Sequence, residues 1–474
     1  MKVTVQVVTR TDDGQEAIHE VACVEREDLT PATLGLSLAE GKMVLQAMQE
    51  VVVEWQMQAY LRQQRHCPQC GHIRQSKGAH SAVFRTVFGS LPVESPRLTH
   101  CACQAHDTHS FSPLADLLPE HTTPELLYLE TKWASLVSYG MTVELMHDVL
   151  PIDEPLQAVT IRNHVLQMAE RLEDALGKEQ GSCIEGCPRD WGALPIPDGP
   201  LTVGIDGGYV KAQGGAQGWF EVIAGKSILA FRQDDEPSAP SSKCFAFVQT
   251  YDEKPKRRLF ELLQSQGLQM NQQIEFLSDG GETVRDLQLY LSPEAEHLLD
   301  WFHITMRLTT LTQTAKGLPV QASQEIPTLR DDVLRELERI KWFLWHGNVF
   351  QALKELRFVE GDLEATAYES DDAIAWKLCK AVQEFATYIE RNGGFIPNYG
   401  ERYRNGERIS TGFVESTVNC VVSKRMVKKQ QMRWSQRGAH LLLQIRTRVL
   451  NGDWEATFRQ WYPGFRAHTT PVAA

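Results

Sequence analysis

The sequence predicts a multidomain α+β protein, and three observations carry that expectation. Four cysteines stand in two close pairs, Cys67-Pro-Gln-Cys70 and Cys101-Ala-Cys103, on either side of alternating strand-like sequence. A stretch rich in Gly and Pro, Gly177 to Pro200, has no apolar period and separates a helical region from a run of strands. Beyond Arg307, apolar residues return at helical spacing almost without break to about Asn392. A chain of 474 residues has room for about two to four such domains.

Bulk composition is ordinary for a globular chain, at 42% hydrophobic and 23% charged. No run approaches the roughly 18 apolar residues that span a bilayer, so no membrane partner is expected. The opening "MKVTVQVVTRTDDGQE" alternates like a strand and carries early acids, unlike a signal peptide. A cytoplasmic setting follows as the expectation, with reduced cysteines. The net charge of −13 speaks mildly against a nucleic-acid partner, but the charge is uneven. Between Arg402 and Arg448 stand eleven Lys or Arg against two acids, Glu407 and Glu415. That segment is a basic region inside an acidic protein.

The elements follow in order. Residues 1–65 read as one or two strands and then a helix, Leu36 to Gln64. Residues 66–115 form a zinc-ribbon-like segment: four thiolates in two pairs suit a closed tetrahedral Zn²⁺ site. With Cys67, Cys70, Cys101 and Cys103 as ligands no position stays open, so the metal would be structural. Four reduced thiols are the alternative, and His66, His72, His100 and His106 could substitute as ligands. Residues 116–178 hold three helices, each expected to open on a threonine, and fit a helix-turn-helix-like DNA-binding domain. Arg162, Asn163 and His164 begin the last helix, where base contacts fall. A plain helical bundle is the alternative. Residues 179–200 are a linker, with Cys183 and Cys187 as free thiols.

Two strands then run into the same three residues. "LTVGIDGGYV" places Asp206, and "QIEFLSDGG" places Asp279, after an apolar run and before two glycines. One Asp-Gly is a common turn. A matched pair on neighbouring strand ends reads as carboxylates sharing Mg²⁺, with glycines letting a bulky ligand approach. Their repulsion would raise one pKa, and a divalent ion would relieve it. Glu415, in "STGFVESTVNCVVSKRM", opens a helix in the basic region and is the candidate third acid, a surface ion pair being the alternative. Lys424, Arg425, Lys428, Lys429 and Arg433 follow it as phosphate contacts. "WFLWHGNVF" reads as a core stripe, and no glycine pattern implies a nucleotide cofactor.

Asp206, Asp279 and Glu415, in that order, resemble the acids of DDE transposases, which sit on the first strand, the fourth strand and a later helix of an RNase H-like core. "DWFH", Asp300 to His303, resembles the [C/D]-x-x-H motif that follows the second acid in Mutator-like and related bacterial branches. The helical block resembles their all-helical insertion, and "GFVESTVNCVVSKRM" with its later Trp-Ser resembles their glutamate helix. Over nearly its whole length the chain is most similar to ISKra-type insertion-sequence transposases.

That resemblance implies a core in two parts, 201–306 and 401–474, interrupted by an all-helical insertion at 307–400. It implies that the three acids hold two Mg²⁺ (or Mn²⁺) ions, and that Asp300 and His303 help position DNA or the acids. The implied activity is cleavage and joining of phosphodiester bonds at transposon ends. The implied partners are double-stranded DNA, as terminal inverted repeats and target, and further copies of the chain in a homodimer or larger assembly, in the cytoplasm and associated with the nucleoid. Two alternatives share these residues: an RNase H-fold nuclease without strand transfer, and a non-enzymatic zinc-containing DNA-binding protein derived from a transposase.

Overall fold

Alternating valines at 3, 5 and 7 make Lys2–Arg10 (β1) a strand, which pairs antiparallel with Glu16–Glu25 (β2). Leu38–Gln64 (α1) follows, and its start is fixed by a reciprocal cap: the Glu40 amide donates to Ser37 Oγ while the Ser37 amide donates to the Glu40 carboxylate. The computed structural model describes residues 1–10, 14–103, 109–118, 120–152, 156–179, 187–195, 197, 199–214, 218–228, 242–291, 295–319, 329–427 and 432–466. The chain divides into two compact units, Met1–Glu170 with Gly452–Ala474, and Arg171–Asn451. Residues 452–474 thus group with the N-terminal unit, whereas the sequence reading had joined them to the core. Among the described residues no helix is long and apolar enough to cross a membrane.

In the first unit, the strand-like sequence between the two cysteine pairs folds as a hairpin of Ser76–Thr86 (β3) and Gly89–Thr99 (β4). Ser110–Phe111 (β5) extends it to a three-stranded antiparallel sheet. Ala82 and Phe84 of β3 pack with Leu114 of Pro113–Leu117 (α2), against Met57, Tyr60 and Leu61 of α1. Three helices follow, Pro124–Leu136 (α3), Tyr139–Val149 (α4) and Ala158–Leu176 (α5). Their starts differ from the threonine rule. Thr123 precedes α3 without a side-chain cap bond, Ser138 caps α4 through the Met141 amide at 3.2 Å, and α5 opens two residues before Thr160. Trp454–Trp461 (α16) closes this unit, with the Trp454 indole donating to Thr131 Oγ1 at 3.3 Å.

The second unit opens with a short turn of helix, Pro188–Trp191 (α6), and is organised on a mixed sheet of five strands. Leu201–Lys211 (β6), Trp219–Ile228 (β7) and Ser242–Val248 (β8) run as an antiparallel meander. Ile274–Ser278 (β9) lies parallel to β6 on its other side, and Glu296–Leu299 (β10) lies parallel to β9. The order is β10-β9-β6-β7-β8. Leu201, Val203 and Ile205 point to one face, where Pro255–Gln264 (α7) and Glu282–Leu291 (α8) supply Leu259, Phe260 and Leu287.

The helical block is Trp301–Ala315 (α9), Leu329–Trp345 (α10), Val349–Ser370 (α11) and Ala373–Asn392 (α12). Leu308, Leu337, Leu356 and Val382 share its core. Trp345 packs inward on Trp301 at 5.0 Å between rings, but Trp342 is 52% exposed, so the aromatic stripe is core on one side only. After Tyr399–Arg404 (α13) the chain enters Gly412–Val418 (α14), continues as a π-helical stretch over Asn419–Val427, and ends the unit with Gln436–Leu450 (α15). Arg446 of α15 donates to the carbonyls of Val421 (2.7 Å) and Cys420 (2.5 Å), satisfying acceptors of the π-helical stretch.

Candidate functional site

β6 and β9 stay paired from Leu201↔Ile274 to Gly204↔Leu277, and Asp206 and Asp279 each lie two residues beyond that last pair. The two acids thus sit at equivalent steps along neighbouring parallel strands, and Asp206 lies on the face shared by Gly204 and Gly208. Asp206 is not at a strand end as the sequence suggested. β6 runs on to Lys211 because β7 keeps pairing with it, and only the β9 side falls away. Asp279 does follow the end of its strand. Burial pushes the Asp206 carboxyl above its usual range; the Gly207 amide at 2.7 Å and His303 oppose the rise, and Asp279 and Asp300 add to it.

A fourth carboxylate, Glu221 on β7, belongs to the same field. Burial raises it first, then repulsion from Asp279 and Asp206. Its side chain crosses Gly207, where an added Cβ would stand 2.5 Å from Oε1. The sequence signal for it was an acid inside the apolar run "WFEVIAG".

Glu415 is exposed on α14. That helix lies on the Asp206 face: a Cβ at Gly204 would collide with Val414, and one at Gly208 would meet Val418 at 3.0 Å. Gly204 and Gly208 thus admit a helix, and Gly207 the Glu221 side chain, rather than a bulky ligand. The oxygens of Asp206, Asp279 and Glu415 do not gather within 4.8 Å, as two other groups of side chains among the described residues do. At the second Asp-Gly-Gly, Gly280 has φ +91° and Asn392 presses on it, so a side chain there would be strained and crowded.

Asp300 is fully buried and caps α9. It accepts from the Phe302 amide at 2.8 Å, the Thr411 amide at 3.0 Å and the Thr411 hydroxyl, while its own amide donates to Ser278. It therefore ties the residue before Asp279 to the residue before α14. Burial raises its carboxyl, against Thr411, the Phe302 amide and His303, whose Nε2 is 3.7 Å away. Asp300 cannot reach DNA; its place is between the acid-bearing elements. Tyr388 of α12 donates to the Asp279 carbonyl at 3.1 Å, with the Arg307 guanidinium 4.1 Å over its ring.

The expected DNA contacts divide. Arg162, Asn163, Lys424 and Arg433 are exposed. His164 is buried, with Nδ1 2.5 Å from the buried Glu130, so it serves the interior of its helices. Arg425 is 1% exposed and lies 5.2 Å over Trp434, so its guanidinium is spent on an indole rather than offered to a phosphate. Lys428 and Lys429 lie outside the described residues, as do Cys183 and His106; Cys187 is an exposed free thiol.

In the first unit the four cysteines do converge. Sγ separations are 3.5 Å for Cys67 and Cys103, 3.4 Å for Cys70 and Cys101, and 3.5 Å for Cys70 and Cys103. Tetrahedral zinc with bonds of about 2.3 Å needs sulfur edges of about 3.8 Å, close to these. The turn is closed by the Gly71 amide on Cys67 O (2.8 Å) and the Cys67 amide on His72 O (2.9 Å). The Cys70 and Gln69 amides lower the Cys67 thiol, while the Cys101 thiol and its neighbours raise Cys103. Four soft donors in this arrangement could hold a metal such as Zn²⁺.

A second cluster, Glu173, Asp252 and His440, already has its cation. Arg258 donates to Asp252 Oδ2 at 2.9 Å, to Glu173 Oε2 at 3.0 Å and to Gln444 at 2.7 Å. Burial opposes ionised Glu173, but His440 and Arg258 hold it down at about 2. Compared with known protein families and with curated proteins, the chain matches none.

Proposed function

We propose that the chain is a DNA transposase of the DDE class, built on an RNase H-like core. The observation that carries this reading is the matched advance of Asp206 and Asp279 beyond the Gly204↔Leu277 pair, at the centre of the sheet. Strand order adds support. Three antiparallel strands, then two parallel to the first, meet the resemblance's requirement for acids on a first and a fourth strand. The helix bearing Glu415 covers the face to which Asp206 points.

Asp206, Asp279 and Glu415 would hold Mg²⁺ or Mn²⁺. Their hard oxygen donors fit such an ion, and burial with mutual repulsion already raises Asp206, a cost that a cation would offset. Such ions, when bound, supply charge neutralisation at a phosphodiester and a more acidic water. The chain's own residues do the positioning. Asp300 joins the segments leading to Asp279 and Glu415, and Tyr388 holds the Asp279 carbonyl. Lys424 and Arg433 would meet phosphates, and Arg162 and Asn163 base edges of double-stranded DNA.

One observation favours the non-enzymatic alternative: the three acids do not gather as the cysteines do. The deciding experiment is divalent-dependent nicking of DNA carrying the sequences that flank the gene. Nicking that is lost in Asp206→Ala and Asp279→Ala, with DNA binding retained, supports the reading. Wild-type nicking by Asp279→Ala would sink it, and nicking without strand transfer would leave a nuclease.

A further inference from the structure

The N-terminal 64 residues have almost no interior. Among the described residues of this stretch Val24 alone is buried, and α1 has no buried residue over its 27 positions. A two-stranded hairpin and one helix need more burial than this to be stable.

The apolar residues of α1 also recur with a period that its own unit does not use. Counted in heptads from Leu38, position a is Leu38, Leu45, Val52 and Ala59, and position d is Met48 and Trp55, with Gly41 and the terminal Arg62 the departures at d. Leu38, Leu45, Met48 and Val52 are 61%, 41%, 38% and 41% exposed. Met57, Tyr60 and Leu61 instead pack on the β3–α2 core. An exposed seam at a 3.5-residue spacing is the pattern of a helix that pairs with another helix.

Charge points to an identical partner. The flanking positions are Lys42, Gln49 and Gln56 at e, and Val44, Val51 and Gln58 at g, none of them acidic. The helix's three carboxylates, Glu40, Glu50 and Glu54, all fall at c or f, away from the seam. In a chain of net charge −13, a seam flanked by no carboxylate over about 33 Å, from Leu38 to Ala59, is one that a second copy could meet without like-charge repulsion.

We propose that α1 is the surface on which a second copy of this chain docks, seam against seam, as a two-helix coiled coil. Nothing in this depends on the chemistry of the acid site.

Light scattering on the full-length protein at micromolar concentration tests it. The wild type should have a mass of about 107 kDa, twice the 53.6 kDa chain. Leu45→Glu with Val52→Glu, and separately Leu45→Lys with Val52→Lys, should each halve that mass, while Met43→Glu, exposed but off the seam, should not. Mixing the acidic and basic variants should restore the dimer, which misfolded chains could not do. A monomeric wild type, a dimer that survives both charge variants, or no recovery on mixing would each overturn the proposal.

Discussion

Asp206 and Asp279 stand at matching steps past the point where β6 and β9 part, two residues beyond Gly204 and Leu277 respectively. They are close enough to interact: Asp279 raises the cost of ionising Asp206, and both raise that of Glu221.

That cost is measurable without any substrate. The folded Asp206 carboxyl titrates above its unfolded value, so its contribution to stability is present below the unfolded pKa and lost as pH rises through the folded one. In divalent-free buffer at pH 7, Asp206→Asn should therefore raise Tm. Solvent screening at this part-buried site keeps the gain small, about 2 °C, and it should vanish towards pH 4. Calorimetry across that range checks the sign.

If the acids hold a cation, Mg²⁺ or Mn²⁺ should raise the wild-type Tm in a concentration-dependent way. The same titration on Asp206→Asn with Asp279→Asn should leave Tm unmoved. Equal shifts in both proteins would place the ion elsewhere.

Gly204→Ala tests the seating of α14. The new methyl collides with Val414 and lies near Phe413, so the helix must shift or the strand must bend. Overpacking of this kind costs about 1–3 kcal/mol, readable by urea unfolding. Gly218→Ala, in the same unit and with open space, is the control.

The cysteine cluster should carry one zinc per chain by elemental analysis of freshly purified protein. Cys70→Ser should reduce metal content and lower the stability of the first unit, because a structural site contributes folding energy directly. Absence of metal from the wild type would leave four reduced thiols.

Glu173→Gln should destabilise the second unit by about 3 kcal/mol at neutral pH, because Arg258 loses one of its buried carboxylates. Glu173 is held down from 4.5 to about 2, so this stability is full above about pH 4.5 and is lost as pH falls through the folded value. The variant and wild type should therefore converge in acid.

Local pattern made much of this legible. The strands leading into Asp206 and Asp279, the strand-like stretch between the cysteine pairs and the helical block follow from periodicity and turn residues, although β6 runs on past Asp206 and the helices begin at Trp301. What escaped was set by partners far away in the chain. Arg425 reads as a surface base until Trp434 and the π-helical winding draw it inward. Glu221 joins the acids only through cross-strand proximity to β6, and Tyr388 reaches Asp279 across 109 positions. Asp300 and His303 look like one motif, yet burial separates a saturated bracket from a part-exposed imidazole. The uneven glycines show the same limit: no window of sequence reveals that Val414, 210 positions later (414 − 204), will lie on Gly204.

The hydroxyl of Tyr388 has an evolutionary consequence. Because the peptide next to the second acid leans on a helix from the intervening block, that block is a strut and not cargo. A lineage that shed it would have to rebuild the support for Asp279 from elsewhere, so shortened descendants should carry a replacement donor at that carbonyl or hold the Asp279 peptide less firmly.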